Sequence, residues 1–215
     1  SLIDLKNSKN SKSNIRALSY QLYENNGVIK REEVINYLKK FNQEERKILR
    51  SIGVKFGRYH IYLYKLLKPD AVSLRLILWK NFHQKYFNFK PPKFGLNFFI
   101  AKENLNKEFM LISGFEKFDN FYVRIDILER LFIQIINSNN ENNKDIMLVP
   151  EMLNLLGCSK ENFVKLIKKM NYRSTEKENK IYFKYLPIKN KDYKNNSKKI
   201  NKNSPFKILK ELTIK

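Results

Sequence analysis

The stretch "RSIGVKFGRYHIYLYKLLKP", Arg50 to Pro69, decides how the chain around it folds. Gly53 stands where a helix would stop, and the residues after it alternate between apolar and polar types. This alternation predicts two short strands that turn near Gly57. Pro69 has a fixed φ and no backbone N–H, so it predicts the first residue of a following helix. The stretch therefore predicts a helix end, a small β turn and a helix start.

Three amphipathic helices are predicted before this stretch. The first begins with Asn14 as its N-cap and ends at Gly27, and the second covers about residues 31–40. Asn42 and Glu45 have the spacing of a capping box, which opens the third helix. The residues predicted to be buried in these helices are Ile15, Leu18, Leu22, Val34, Ile35, Leu38, Ile48, Leu49 and Ile52.

After Pro69 the periodicity of apolar residues is weak at first and becomes strong from Asp126 onward. The helix begun by Pro69 carries Val72, Leu76 and Trp79, whereas residues 81–124, with "KPPKFG" and several aromatic residues, give no clear assignment. From Asp126 the pattern sharpens. Asp126 and Glu129 have the spacing of an N-cap and its third helical residue, followed by an apolar stripe.

The order of elements after residue 150 is informative. Pro150 opens a short helix that stops at Gly157, and Ser159 caps the next helix. Segments 171–173 and 181–186 are predicted to pair as a hairpin. Helix, glycine turn, helix and hairpin is the order found in the second half of a winged-helix unit.

The predicted fold class is therefore mainly α with small β elements. The predicted regions are a linker (1–13), a helical unit with a short β turn (14–86), a connector (87–124), a winged-helix-like unit (125–187), and a basic tail with a short terminal helix (188–215).

Composition indicates a folded, basic protein. The 215 residues include 43 Lys and Arg against 21 Asp and Glu, a net charge of +22, with 42% hydrophobic residues. Such charge predicts a polyanionic partner, with nucleic acid ahead of an anionic membrane. The alternative is that part of the charge reflects a compositional bias, because Lys, Asn and Ile are all abundant.

Cys158 is the only cysteine, which fits a reducing, cytoplasmic compartment. No apolar run approaches the roughly 20 residues that span a bilayer. The chain begins at Ser1 instead of Met, and we interpret it as a fragment of a longer protein.

No catalytic site is predicted. Gly53 and Gly57 are too close together for a phosphate-binding loop, and no lysine and hydroxyl pair follows them. His60 and His83 lack further ligands at metal-binding spacing, so both are interpreted as ordinary surface or half-buried residues. Cys158 stands near a helix N-terminus but has no partners for a triad, and it is interpreted as a packed side chain.

Two basic clusters are the candidate nucleic-acid-binding residues. Basic and aromatic side chains that alternate can follow a phosphate backbone and stack on bases. The first cluster comprises Lys55, Arg58, Tyr62, Lys65 and Lys68, with Tyr59 and Tyr64 among them; the second comprises Lys165, Lys168, Lys169 and Arg173. The alternative for each cluster is a solvated face with tyrosines in the core.

The segment "LRSIGVKFGRYHIYLYKLLKPDAVSLRLILW", Leu49 to Trp79, resembles the region that follows the motor in bacterial relatives of the mitochondrial degradosome RNA helicase, which are superfamily-two DExH enzymes. The matching residues are Leu49, Gly53, Val54, Phe56, Gly57, Leu66, Leu67, Lys68, Pro69, Leu78 and Trp79. Residues 123–131, 150–173 and 204–212 are also similar to such proteins, in the same order. Lys55 departs from a common arginine, and Tyr64 from a frequent proline.

The resemblance implies an accessory region of an ATP-dependent helicase that braces the motor and guides the strand. The motor motifs are absent from this chain and would precede Ser1, so ATP and magnesium are implied for the motor and no cofactor is expected here. The implied partners are the motor domains of the same chain and single-stranded or partly duplex nucleic acid, RNA in preference to DNA. No membrane partner is expected.

Two other functions fit the same sequence. A stand-alone winged-helix DNA-binding regulator would place the helix from Lys160 to Met170 on a particular duplex sequence. A protein-interaction scaffold would carry its charge incidentally. Salt-dependent binding without sequence preference favours the helicase accessory region, whereas absence of binding at physiological salt favours the scaffold.

Overall fold

The computed structural model describes residues 3–4, 12–84, 88–102, 104–138, 145–177 and 179–186. These residues form helices and three small antiparallel sheets of three strands each. The fold is a mixture of helix and sheet, with more β structure than the predicted mainly helical class. The predicted terminal helix within 188–215 and most of the predicted linker lie outside the described residues.

The first segment of the fold ends in the hairpin predicted near Gly57. It consists of α1 (Ser13–Glu24), β1 (Val28–Lys30), a 3₁₀ turn (Arg31–Val34), α2 (Ile35–Leu38), α3 (Gln43–Ser51), β2 (Val54–Phe56) and β3 (His60–Leu63). In its sheet β3 lies between β1 and β2. Val28 pairs with Tyr62 on one side of β3, and Phe56 pairs with Ile61 on the other.

The second segment covers the region predicted only as a helix and a connector. After a 3₁₀ turn (Tyr64–Leu67) it consists of α4 (Pro69–Phe82), β4 (Phe98–Ile100), α5 (Lys107–Ile112), β5 (Phe115–Phe118) and β6 (Phe121–Arg124). The central strand is β6, which pairs with β4 and β5.

The third segment follows β6 without a linker. It consists of α6 (Ile125–Asn137), β7 (Ile146–Met147), α7 (Pro150–Leu156), α8 (Lys160–Lys169), β8 (Tyr172–Lys177) and β9 (Lys180–Tyr185). The last strand is again central, because β9 lies between β7 and β8. The hairpin is longer than the predicted pairing of 171–173 with 181–186.

The three segments share one order of elements. Each begins with a helix and a short strand, continues with one or two further helices, and ends in an antiparallel hairpin whose last strand is the middle of the sheet. Residues 98–124 therefore hold a small unit of the same kind as the segments on either side.

Hydrophobic packing joins the segments to one another. The largest core contains residues of α6, α7, α8 and the third sheet, and it includes Phe121 and Val123 of β6. A small cluster of Val28, Tyr62 and Ile125 brings β1, β3 and the start of α6 together. The segments thus bury side chains against their neighbours as well as within themselves.

Arg75 on α4 is a second connection between segments. Its guanidinium donates to the carbonyl oxygens of Asn26, Leu66 and Ile112 at 2.7, 2.7 and 2.8 Å. The residue is only 9% exposed, and burial lowers the pKa of Arg75 to about 10. The guanidinium of Arg75 therefore donates hydrogen bonds to backbone carbonyl groups at the ends of three different elements.

Most local signals in the sequence are confirmed. Asn42 and Glu45 form the reciprocal capping box, with both hydrogen bonds present. Pro69 and Pro150 begin their helices. The hydroxyl of Ser159 accepts from the backbone N–H of Asn162 at 3.3 Å.

Five helical predictions are wrong. The N-cap of α1 is Lys12 and that of α6 is Arg124, so neither Asn14 nor Asp126 caps a helix. Ile35 and Ile48 are each 43% exposed instead of buried. The predicted helix over residues 31–40 is split, since a 3₁₀ turn precedes the four-residue α2.

Within the described ranges, none of the helices combines the length and the apolar character needed to cross a membrane.

Candidate nucleic-acid interface

The turn between β2 and β3 is held by the carboxylate of Glu129, which lies on α6. Glu129 Oε1 accepts the backbone N–H groups of Tyr59 and His60, both at 2.9 Å, and Oε2 accepts that of Arg58. Charge-assisted hydrogen bonds of this kind are stronger than neutral ones. Glu129, predicted as a capping residue of its own helix, instead fixes a turn about 70 residues away.

Gly57 is required by this close approach. A Cβ atom on Gly57 would overlap the carboxyl group of Glu129. The backbone N–H of Gly57 also donates to the carbonyl of His60 at 2.8 Å, which closes the hairpin. The glycine of the quoted stretch thus gives space to a side chain of the third segment.

His60 is buried, contrary to its interpretation as a surface or half-buried residue. Its ring is 1% exposed and its Nε2 lies 2.8 Å from Glu116 Oε2 on β5. Its Nδ1 lies 3.6 Å from Glu129 Oε1. Lys30 Nζ donates to the other oxygen of Glu116 at 2.7 Å. This buried polar cluster joins side chains of all three segments.

The charged forms of His60 and Glu116 stabilise each other. Burial opposes the imidazolium, but hydrogen bonds to Glu116 and Glu129 and their negative charges outweigh it and raise the pKa of His60. Burial likewise opposes the carboxylate of Glu116, and hydrogen bonds from His60 and Lys30 outweigh it and lower its pKa. The arrangement is that of a structural ion network, because each charged group already has a protein partner.

The first predicted basic cluster is divided by the structure. Lys55 and Arg58 are exposed on the hairpin of the first segment, and Lys65 and Lys68 are exposed on the 3₁₀ turn and just after it. The prediction that Tyr62 stacks on bases is wrong. Its side chain is only 6% exposed, because it packs with Val28 of β1 and Ile125 of α6. Burial raises the pKa of Tyr62 to about 12.

Two further tyrosines of the quoted stretch differ in their exposure. Tyr59 is partly buried, with its ring edge-on to Phe118 and Phe132, and burial raises its pKa. Tyr64 is 49% exposed. Of the three tyrosines in the quoted stretch, Tyr64 presents the most ring surface.

The second predicted cluster lies on two elements. Lys165, Lys168 and Lys169 are exposed on α8. Lys169 is paired with Asp119 at 2.8 Å, whereas no described carboxylate lies within 4 Å of Lys165 or Lys168. Arg173 lies on β8, directly opposite Lys184 of β9. Arg173 therefore lies in the hairpin, as the predicted pairing of residues 171–173 with 181–186 implies.

The outer surface of this hairpin was missed by the sequence analysis. Because side chains alternate along a strand, one face collects every second residue. We call this surface the hairpin face; it consists of Arg173, Thr175 and Lys177 of β8 with Lys180, Tyr182 and Lys184 of β9. The signal was present in "KIYFKY", where Lys180, Tyr182 and Lys184 occupy alternate positions.

The hairpin face places like charges directly across from each other. Arg173 pairs with Lys184, and Lys177 pairs with Lys180. Opposed like charges destabilise an antiparallel pair. One described carboxylate, that of Asp145, approaches Lys177 at 3.8 Å. A bound anion would therefore stabilise the hairpin face by reducing the repulsion between these like charges.

Nothing in the described ranges points to catalysis at Cys158 or to a metal centre. Burial raises the pKa of the Cys158 thiol to about 11, which disfavours the thiolate. Over those ranges, no three His, Cys, Asp or Glu residues are grouped closely enough to hold a metal ion. His83 is 30% exposed and lies 3.9 Å from Glu108.

Comparisons of the chain with protein-family models, with curated proteins and with solved structures gave no match.

Proposed function

We propose that this protein is a nucleic-acid-binding accessory region, built from winged-helix-like units, that braces the motor of an ATP-dependent helicase and guides the strand. The observation that carries the proposal is the hairpin face, on which four basic side chains oppose each other in two pairs. Phosphate groups would relieve this repulsion, and they would release condensed counterions on binding.

The element order of the third segment supports the winged-helix-like part of the proposal. A helix, a strand, two helices and a hairpin with the strand order β7-β9-β8 follow one another from α6 to β9. In winged-helix proteins the helix before the hairpin contacts nucleic acid. Here that helix is α8, which exposes Lys165 and Lys168. The nucleic-acid surface would then include α8 and the hairpin face.

The bracing part of the proposal is supported by α4. Four large apolar side chains on this helix are more than half exposed: Leu74 (58%), Ile77 (57%), Leu78 (60%) and Phe82 (84%). Exposed apolar patches of this kind mark contacts with other protein surfaces. The sequence around α4 is also part of the segment that resembles the helicase family, whose motor would be the covering surface.

The proposed ligand is single-stranded or partly duplex RNA, in preference to DNA. The chain itself supplies no catalysis in this proposal, and ATP and magnesium would act in the motor. A sequence-specific duplex-binding regulator is the second candidate, and α8 followed by a basic hairpin is the observation that favours it.

Fluorescence anisotropy of the purified chain with labelled single-stranded RNA, single-stranded DNA and duplexes, over a range of salt concentrations, tests the proposal. Each neutralised phosphate contributes about 0.7 to the salt slope on a single strand and about 0.9 on duplex DNA. We expect a slope of several units with little sequence preference.

The hairpin face is tested with the double variant Arg173→Ala, Lys184→Ala. The matched control is Lys90→Ala, Lys93→Ala, which removes two exposed lysines between α4 and β4. We expect the hairpin variant alone to lose about 1.4 to 1.8 of the slope, two phosphate contacts. Equal affinities for both variants would contradict the proposal, and binding confined to one duplex sequence would favour the regulator.

A further inference from the structure

A groove lies between the hairpin of the first segment and helix α6 of the third. Its volume is about 330 Å³. We call it the junction groove; its walls include Arg50, Lys55, Phe56, Arg58, Phe132 and Ile133. None of the segments forms this groove alone, because the clamp of Glu129 on the β2–β3 turn brings its two walls together.

The junction groove is strongly positive. Arg50, Lys55 and Arg58 are exposed, and over the described part of the chain no carboxylate comes within 4 Å of these three side chains. Glu129 also borders the groove, but its oxygens accept three backbone N–H groups and face the turn. Among the described residues, the groove therefore carries three cationic side chains against the single carboxylate of Glu129.

Aromatic rings lie beneath two of these cations. The guanidinium of Arg50 is 5.7 Å from the ring centre of Phe56, and that of Arg58 is 5.4 Å from the ring centre of Phe132. An arginine stacked on a ring still presents its N–H groups at the edge, where they suit a phosphate. Ile133 is 56% exposed beside them. The groove thus combines phosphate donors with an apolar and aromatic floor.

The size of the groove favours one kind of occupant. A volume of about 330 Å³ is at the small end of the range for enclosed ligand sites. It suits a single nucleotide unit, and it is too small to hold a double helix. Positive grooves with aromatic side chains are how proteins follow single strands without sequence preference.

We propose that the junction groove binds a segment of single-stranded nucleic acid, with phosphates on Arg50, Lys55 and Arg58 and a base against Phe132 and Ile133. This inference rests on the proposed function and adds a second contact, separate from α8 and the hairpin face. The protein would then hold a single strand at the junction of its first and third segments.

The test compares binding of the full chain to labelled oligouridylate and to a labelled RNA duplex by anisotropy. The groove variant is Arg50→Ala, Lys55→Ala, the charge-matched control is Lys90→Ala, Lys93→Ala, and the hairpin variant is Arg173→Ala, Lys184→Ala. We expect the groove variant to bind oligouridylate about tenfold more weakly, with a salt slope lower by about 1.4. Its affinity for duplex should stay within about twofold of the wild type.

Ile133→Ser tests the base contact without changing the charge. The side chain is exposed, so folding should be retained. We expect about a fivefold or larger loss of oligouridylate binding with an unchanged salt slope, since base contacts are apolar and phosphate contacts set the slope. Circular dichroism of each variant confirms that it is folded.

The outcomes separate the two proposals. If the hairpin variant weakens binding while the groove variant matches the control on oligouridylate, the groove inference is overturned and the proposed function stands. Equal weakening of single strand and duplex by the groove variant also overturns the inference. If the wild type binds none of the probes, the proposed function fails and the groove inference fails with it.

Discussion

The clamp of Glu129 on the turn at Gly57 predicts a strong energetic coupling between two residues that are far apart in sequence. Glu129→Ala removes the acceptor of three backbone N–H groups. Each buried donor left without a partner costs about 1–3 kcal/mol. Because the turn is only partly buried, we use the lower part of this range and expect a loss of about 3–4 kcal/mol.

Gly57→Ala perturbs the same contact from the other side. The added methyl group would overlap the Glu129 carboxyl group, and overpacking of this kind costs about 1–3 kcal/mol. In the Glu129→Ala background the methyl group has room. The cost of Gly57→Ala should then fall to about zero, or become a gain of up to about 1 kcal/mol from the smaller entropy of the unfolded chain.

Urea denaturation followed by circular dichroism measures the cycle. We expect the double variant to be more stable than the sum of the single effects by about 1–4 kcal/mol. A control cycle pairs Gly57→Ala with Glu151→Ala, an exposed glutamate on α7 that should show no coupling. Additivity of Gly57→Ala and Glu129→Ala within about 0.5 kcal/mol would refute the reasoning.

Three further predictions concern stability. Arg75→Met leaves three carbonyl acceptors without their donor, and urea denaturation should show a loss of about 2–4 kcal/mol; a loss below about 1 kcal/mol would contradict this role. The raised pKa of His60 stabilises the protein below pH 6.5, and this contribution is lost as pH rises through the folded-state pKa. The lowered pKa of Glu116 stabilises it above pH 4.5, and this contribution is lost on acidification. His60→Gln should therefore flatten the alkaline fall in stability seen in thermal melts, and an unchanged fall would contradict the prediction. Asn42→Ala removes the capping box of α3 and should cost about 1 kcal/mol in urea denaturation, whereas Gln43→Ala should cost almost nothing.

The features that could be predicted from the sequence depend on neighbours along the chain. The capping box of Asn42 and Glu45 needs only the three-residue spacing of the first helical turn, and Pro69 begins a helix through its own ring. The strands around Gly57 were also predicted from alternation. Such signals act through local geometry, so they need no contact with residues that are distant in sequence.

The second segment shows where periodicity fails. Its strands β4, β5 and β6 have the sequences FFI, FEKF and FYVR, and none of them alternates between apolar and polar residues, so periodicity gives no strand signal there. The chain there could be assigned only by its pairing in space. The repeated order of elements in the three segments follows from that pairing.

The sequence by itself determined the helix starts at Asn42, Pro69, Pro150 and Ser159, the excess of positive charge, and the basic residues of α8 and the β2–β3 hairpin. Only the tertiary structure decided that Glu129 holds a distant turn, that His60 is buried against Glu116, and that Tyr62 faces inward. The partners of these residues are 34 to 71 residues away, so no local spacing encodes them. The junction groove also depends on the tertiary structure, because its two walls come from segments that meet only when the chain is folded.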